Sequence, residues 1–209
     1  MTPLPSPPSE SSGTLTRALI DLISKVPRST EAMSDDPLSR ARAIAKSSSL
    51  KAAAISGAMA LPPGPLGIIT LVPDLLAIWK LQQTMVADIA AAFGKTTFLA
   101  RETMVYCLFK HGSAALVRDI AARVGERIVI RTLSAPLFRS VLERLGVRLA
   151  ERVVAKSVAR WLPVIGAVGV SAYAYADTAK VAATAIDVFS RDLVISEDLA
   201  EIGKLKAES

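Results

Sequence analysis

Apolar side chains recur at steps of three and four along most of this chain, and no stretch shows convincing two-residue alternation. That spacing lines apolar residues on one face of successive helices and predicts an all-α fold. Leu15, Ala18, Leu19, Leu22, Ile23 and Val26 mark a short amphipathic helix that Pro27 breaks. Ser34-Asp35-Asp36-Pro37 reads as a helix start, with an oxygen-bearing cap and proline in the first turn. Behind it, Leu38, Ala41, Ala45, Ser48, Ala52, Ile55 and Met59 form a long seam of mostly small residues. Small side chains let a second helix approach closely. This helix should end near Leu61, because Pro62-Pro63-Gly64-Pro65 cannot continue it.

Six further segments carry the helical pattern. One runs from Pro73-Asp74 to Phe93, with Gly94 as its C-terminal cap. Others cover 96–110, 113–133, 136–160 and 168–189, and a short one 196–206. The expected architecture is a compact all-α bundle of about six or seven helices with two apolar hairpins interrupted by Pro and Gly. The hairpin residues are Pro62, Pro63, Gly64, Pro65 and Gly67 in the first, and Pro163 and Gly166 in the second. Residues 1–13 are rich in Pro and Ser and read as a disordered leader, leaving one domain over 14–209.

Composition adds surroundings rather than chemistry. Hydrophobic residues make up 51% of the 209 and charged residues 21%, which excludes global disorder. Cys107 is the single cysteine, so no disulfide and no multi-cysteine zinc site can form within one chain. The opening residues lack a basic and apolar signal pattern, which with one cysteine favours the cytoplasm or its membrane face. Residues 52–73 and 161–176 carry no charge at all. Prolines and glycines divide them into pieces shorter than a spanning helix, so they read as buried turns or as hairpins dipping into one leaflet.

These two segments resemble the EcsC family of bacterial proteins. The similarity lies in Ser56-Gly-Ala-Met-Ala-Leu-Pro-Pro-Gly-Pro-Leu-Gly67, Pro73-Asp74, Gln82-Gln83 and 89–94, and again in Leu162-Pro-Val-Ile-Gly166 with the Ala-rich helix to Phe189. The resemblance covers about 65 residues of the 209. It implies a helical bacterial protein tied to membranes or transport systems, and it supplies no catalytic residues.

Charge is concentrated. Residues 101–160 hold twelve basic and five acidic side chains, a net of +7 in a chain whose total is +6. Arg144, Arg148, Arg152, Lys156 and Arg160 step by four, beside an apolar row of Phe138, Val141, Leu142, Leu145 and Leu149. Arg123, Arg127 and Arg131 repeat the step on what reads as the preceding helix. The pattern fits either a solvated face of a core helix or a surface for anionic lipid. Aromatics are sparse among these cations, so nucleic acid is not an expected partner.

Other chemistry is thinner. Asp74 and Asp88 share a helix face, and Asp177 sits three residues before Lys180, with which it can pair. If the two hairpins pack together, these acids could face one cavity and serve as a hydrolase or peptidase site; each also suits a structural role. Cys107 and His111 lie four apart, yet the chain's one histidine reads better as a helix-end cap than as half of a nucleophilic pair. Gly94-Lys95-Thr96 lacks the upstream glycine of a phosphate loop. The expectation is therefore a non-catalytic protein of the cytoplasmic membrane face, peripheral or partly inserted. It would bind anionic lipid or acyl chains or dock on a membrane protein, with no cofactor or metal, and could self-associate. A hydrolase with the acidic site and an integral transport component are the alternatives.

Overall fold

The structure, a computed structural model, describes the backbone of residues 9–59, 71–118, 120–157 and 163–196 and the side chains of 17–58, 75–118, 120–149 and 168–196. In chain order the elements are α1 (Ser9–Ser24), α2 (Pro37–Met59), α3 (Leu71–Ala92), a 3-10 turn (Thr96–Phe98), α4 (Arg101–Val117), β1 (Ala121–Val124), β2 (Arg127–Arg131), α5 (Ala135–Ser157), α6 (Pro163–Phe189) and β3 (Asp192–Ser196). The chain is thus a predominantly helical bundle, as its hydrophobic spacing predicts, with a small sheet added. Of the predicted helix at 196–206, Ser196 is the last residue of β3 and 197–206 lie outside the described residues.

Helix ends follow their capping residues. Asp36 Oδ1 accepts a hydrogen bond from the Ser39 amide at 3.1 Å, so Asp36 caps α2 with Pro37 as its first residue. At the other end of α3, Gly94 adopts φ +67°, and Gly94 and Lys95 donate backward to the carbonyls of Ala91 and Ala90, both at 2.8 Å. A Cβ at Gly94 would also strike Met33 Sδ at 2.6 Å. The Ser34 amide donates to the Ala92 carbonyl at 3.0 Å, joining the start of α2 to the end of α3. These two helices are therefore antiparallel.

α6 is the central helix, packed against α2, α3 and α4. Gln82 of α3 reaches Asp177 and Thr178, while Lys95 just beyond α3 donates to the Arg191 carbonyl just beyond α6. The two helices run in the same direction, so α2 runs against α6. α2 comes close to α6, where a Cβ on Gly57 would lie 2.5 Å from Ser171 Oγ, and along the small-residue seam Ala41 and Ala52 are fully buried and Ser48 nearly so. Larger residues at these positions would hold the axes apart. The core proper gathers Leu19 and Ile23 of α1, Met85 and Ile89 of α3, Met104 and Phe109 of α4, Leu142 and Leu145 of α5, and Val181 and Phe189 of α6. Trp79 meets Phe109 edge-on, with ring centres 5.8 Å apart.

The predicted helix over 113–133 is corrected by the structure. α4 runs through to Val117 with a kink at Ser113 (φ −148°, ψ 45°), where a helix break was expected. The chain then forms a hairpin: β1 pairs antiparallel with β2, and β2 pairs parallel with β3. Gly125, at φ +57°, takes the first position of the two-residue turn. That is the residue such a turn favours. Ile128 and Ile130 face the main core, while Val129, also fully buried, packs with Val124, Ala122 and Val194 on the opposite face. Burial on both faces removes alternation from the sequence, and the run then reads as helix-compatible.

Polar links fasten the elements. Arg191 donates to Glu126 in the hairpin turn and to Asp187 in α6, each at 2.7 Å. Arg101 donates to the Leu133 carbonyl and to the buried Glu102, which accepts the Leu133 amide, and its guanidinium lies 4.5 Å from the Phe138 ring centre. Together they anchor the connection from β2 to α5.

Candidate functional site

α5 presents its apolar row inward: Phe138, Val141, Leu142 and Leu145 are buried and Leu149 is partly so. At 100° per residue, Arg144 and Arg148 fall with Leu137 on one flank of the helix, about 80–120° from the inward row, and Val147 falls on the side opposite that row. Both arginines are exposed, and Leu137 and Val147 are 44% and 47% exposed. Neither arginine forms a salt bridge with a described acid. Arg139 does, to Glu143 at 3.1 Å. α5 continues to Ser157, so positions 152 and 156 lie on the same helix; their side chains, and Arg160, are outside the described residues.

The other cations are not beside this face on a helix, as their spacing predicts. Arg123 lies on β1, and Arg127 and Arg131 lie on β2. Arg127 is exposed. Arg131 is partly buried, its Nε shielded from solvent without a hydrogen bond among the described residues. Arg131 is thus more enclosed than the exposed Arg144 and Arg148.

The acids are drawn to separate partners. Asp88 accepts a hydrogen bond from Ser29 Oγ in the α1–α2 connection. Asp177 receives Gln82 Nε2 on Oδ2 at 3.0 Å and meets His111 Nε2 through Oδ1 at 2.9 Å. Lys180, the pairing partner that spacing suggests, is exposed and makes no salt bridge with it. Asp74 and the hairpin residues Pro62, Pro63, Gly64, Pro65 and Gly67 lie outside the described side chains, as do Pro163 and Gly166. Among the described residues, no three His, Cys, Asp or Glu side chains converge as a metal-binding group.

His111 is a partner of Asp177 across α4 and α6, rather than a helix-end cap. Sequence reasoning missed this link and the role of Gln82, which is 1% exposed and spans α3 to α6. A buried glutamine in an apolar helix is the signal that points to such a contact, since its amide must find partners. Cys107 is wholly buried; desolvation pushes its thiol up to about 12, against a weaker opposing pull from Lys110. It is protonated at neutral pH and does not form a nucleophilic pair with His111. Burial disfavours ionised Asp187, but the hydrogen bond and charge of Arg191, with Lys110 and Arg123, outweigh it and hold the carboxyl below its ordinary range.

No family model, curated protein or solved structure matches this chain. Among the described residues no helix is long and apolar enough to cross a membrane.

Proposed function

We propose that this chain is a non-catalytic protein that docks on anionic lipid headgroups at the cytoplasmic face of a bacterial membrane, with α5 as the docking helix. The observation that carries the reading is that Arg144 and Arg148, exposed and without an ion pair among the described residues, share a flank of α5 with exposed Leu137, next to exposed Val147. Cations and apolar side chains together suit an interface in which headgroups meet the charges and acyl carbons meet the side-chain stems. The local net charge of +7 over 101–160 draws the protein to such a surface. Kinship with EcsC proteins, through 56–67, 73–94 and 162–189, is part of the same proposal and accords with a membrane tie.

Each cation near an anionic leaflet contributes about 1 kcal/mol, so the two arginines together account for about 2 kcal/mol, roughly thirtyfold in affinity. Replacing both with Gln keeps helix propensity and removes the charge. Co-sedimentation with vesicles containing phosphatidylglycerol should weaken by about that factor. Equal binding by parent and variant would remove α5 from the interface.

A further inference from the structure

α6 changes character along its length. From Val181 to Phe189 most side chains are buried in the core, yet Val168–Ala176 is uncharged and mostly exposed. Val168 is 70% exposed, Tyr173 54% and Tyr175 39%. Uncharged residues of α2 lie alongside, because α2 runs against α6 with Gly57 over Ser171; Ala53 joins Val168, Ala172 and Tyr175 in lining a shallow groove. A helical surface without a charge over nine residues is a poor match for water.

From these features we infer that this end of the α2–α6 pair penetrates the headgroup region of an anionic bilayer, which rests on the lipid-docking reading above. Three features select lipid as the occupant. Tyrosine places an apolar ring and a polar hydroxyl at the depth where hydrocarbon gives way to headgroups. The cationic helix α5 ends at Ser157 and α6 starts at Pro163, so these two ends lie within about 20 Å, and Arg152 and Lys156 stand in the last turns of α5 at that end. Finally, a net charge of +6 attracts an anionic leaflet and repels a second copy of the chain. The α5 arginines would bring the protein to the surface, and Val168, Tyr173 and Tyr175 would set its orientation and depth.

The test places an environment-sensitive NBD fluorophore at Val168→Cys, with Ser190→Cys at the opposite end of α6 as control. Both positions are exposed, and native Cys107 is buried and unreactive, so labelling is selective. On vesicles containing phosphatidylglycerol, the label at 168 should shift to the blue and brighten several-fold, while the label at 190 stays unchanged. Val168→Asp should lower vesicle affinity about tenfold with the melting temperature held. Co-sedimentation without any emission change at 168 would overturn the inference while leaving docking by α5 intact. Absence of co-sedimentation would overturn both. A blue shift without vesicles that grows with protein concentration would make a second copy the occupant and overturn the inference too.

Discussion

Gly57 offers a prediction whose sign depends on one atom. A Cβ there would sit 2.5 Å from Ser171 Oγ, a distance no packed structure tolerates, but the next atom, Ser171 Cβ, is a comfortable 3.8 Å away. A serine hydroxyl can rotate to another staggered position with little strain. Against that small cost stands helix propensity, where alanine is favoured over glycine by up to about 1 kcal/mol, less in the last turn that Gly57 occupies. Gly57→Ala should therefore be neutral or stabilising, by at most about 1 kcal/mol or 2–4 °C in melting temperature. Gly57→Val adds two methyl groups that rotation of Ser171 cannot clear, and should cost about 1–3 kcal/mol through overpacking. Ser171→Ala combined with Gly57→Ala removes the contacting oxygen and should recover the whole propensity gain. Thermal melts of the four proteins, read by circular dichroism, decide the matter. If Gly57→Ala lowers the melting temperature by several degrees and Ser171→Ala does not restore it, the close α2–α6 crossing is wrong.

Three further perturbations test other contacts. Asp177→Ala leaves the buried Gln82 amide short of an acceptor and His111 without its partner, which should cost about 1–3 kcal/mol by denaturant titration; Asp177→Asn should cost less. Asp187 is held below 3.8, so its contribution is complete at neutral pH and is lost as pH falls through that depressed value. The deficit of Asp187→Asn against the parent should be present at neutral pH and shrink on acidification below pH ~4, and a deficit that stays constant there would refute the Asp187–Arg191 link. Cys107 should resist a thiol reagent in the folded protein and react fully in denaturant; rapid labelling of the native state would contradict its burial.

The helices were legible because caps and small-residue seams are local signals. Asp36-Pro37 and Gly94 mark ends whose hydrogen bonds lie within a turn, and the α2 seam states the closeness of its neighbour without naming it. The hairpin was illegible because Ile128, Val129 and Ile130 are all buried, which erases the alternation that marks a strand. Gly125-Glu126 was the remaining clue. Placing Arg127 and Arg131 on a helix beside α5 followed from the same error. The links from His111 to Asp177, and from Gln82 to Asp177 and Thr178, join residues that are 66, 95 and 96 apart. Spacing within one helix offered Lys180 for Asp177, and only the packing of α3 and α4 on α6 supplies the actual partners.

Membrane docking through exposed arginines is the central claim, and the parent protein's partition between vesicles and solution tests it most directly. Sedimentation with vesicles of phosphatidylcholine alone should be weak, and addition of phosphatidylglycerol should strengthen it markedly. Raising salt should then release the protein, because the arginine contacts lie at a screened surface. Equal partition onto neutral and anionic vesicles, or none onto either, would contradict the account.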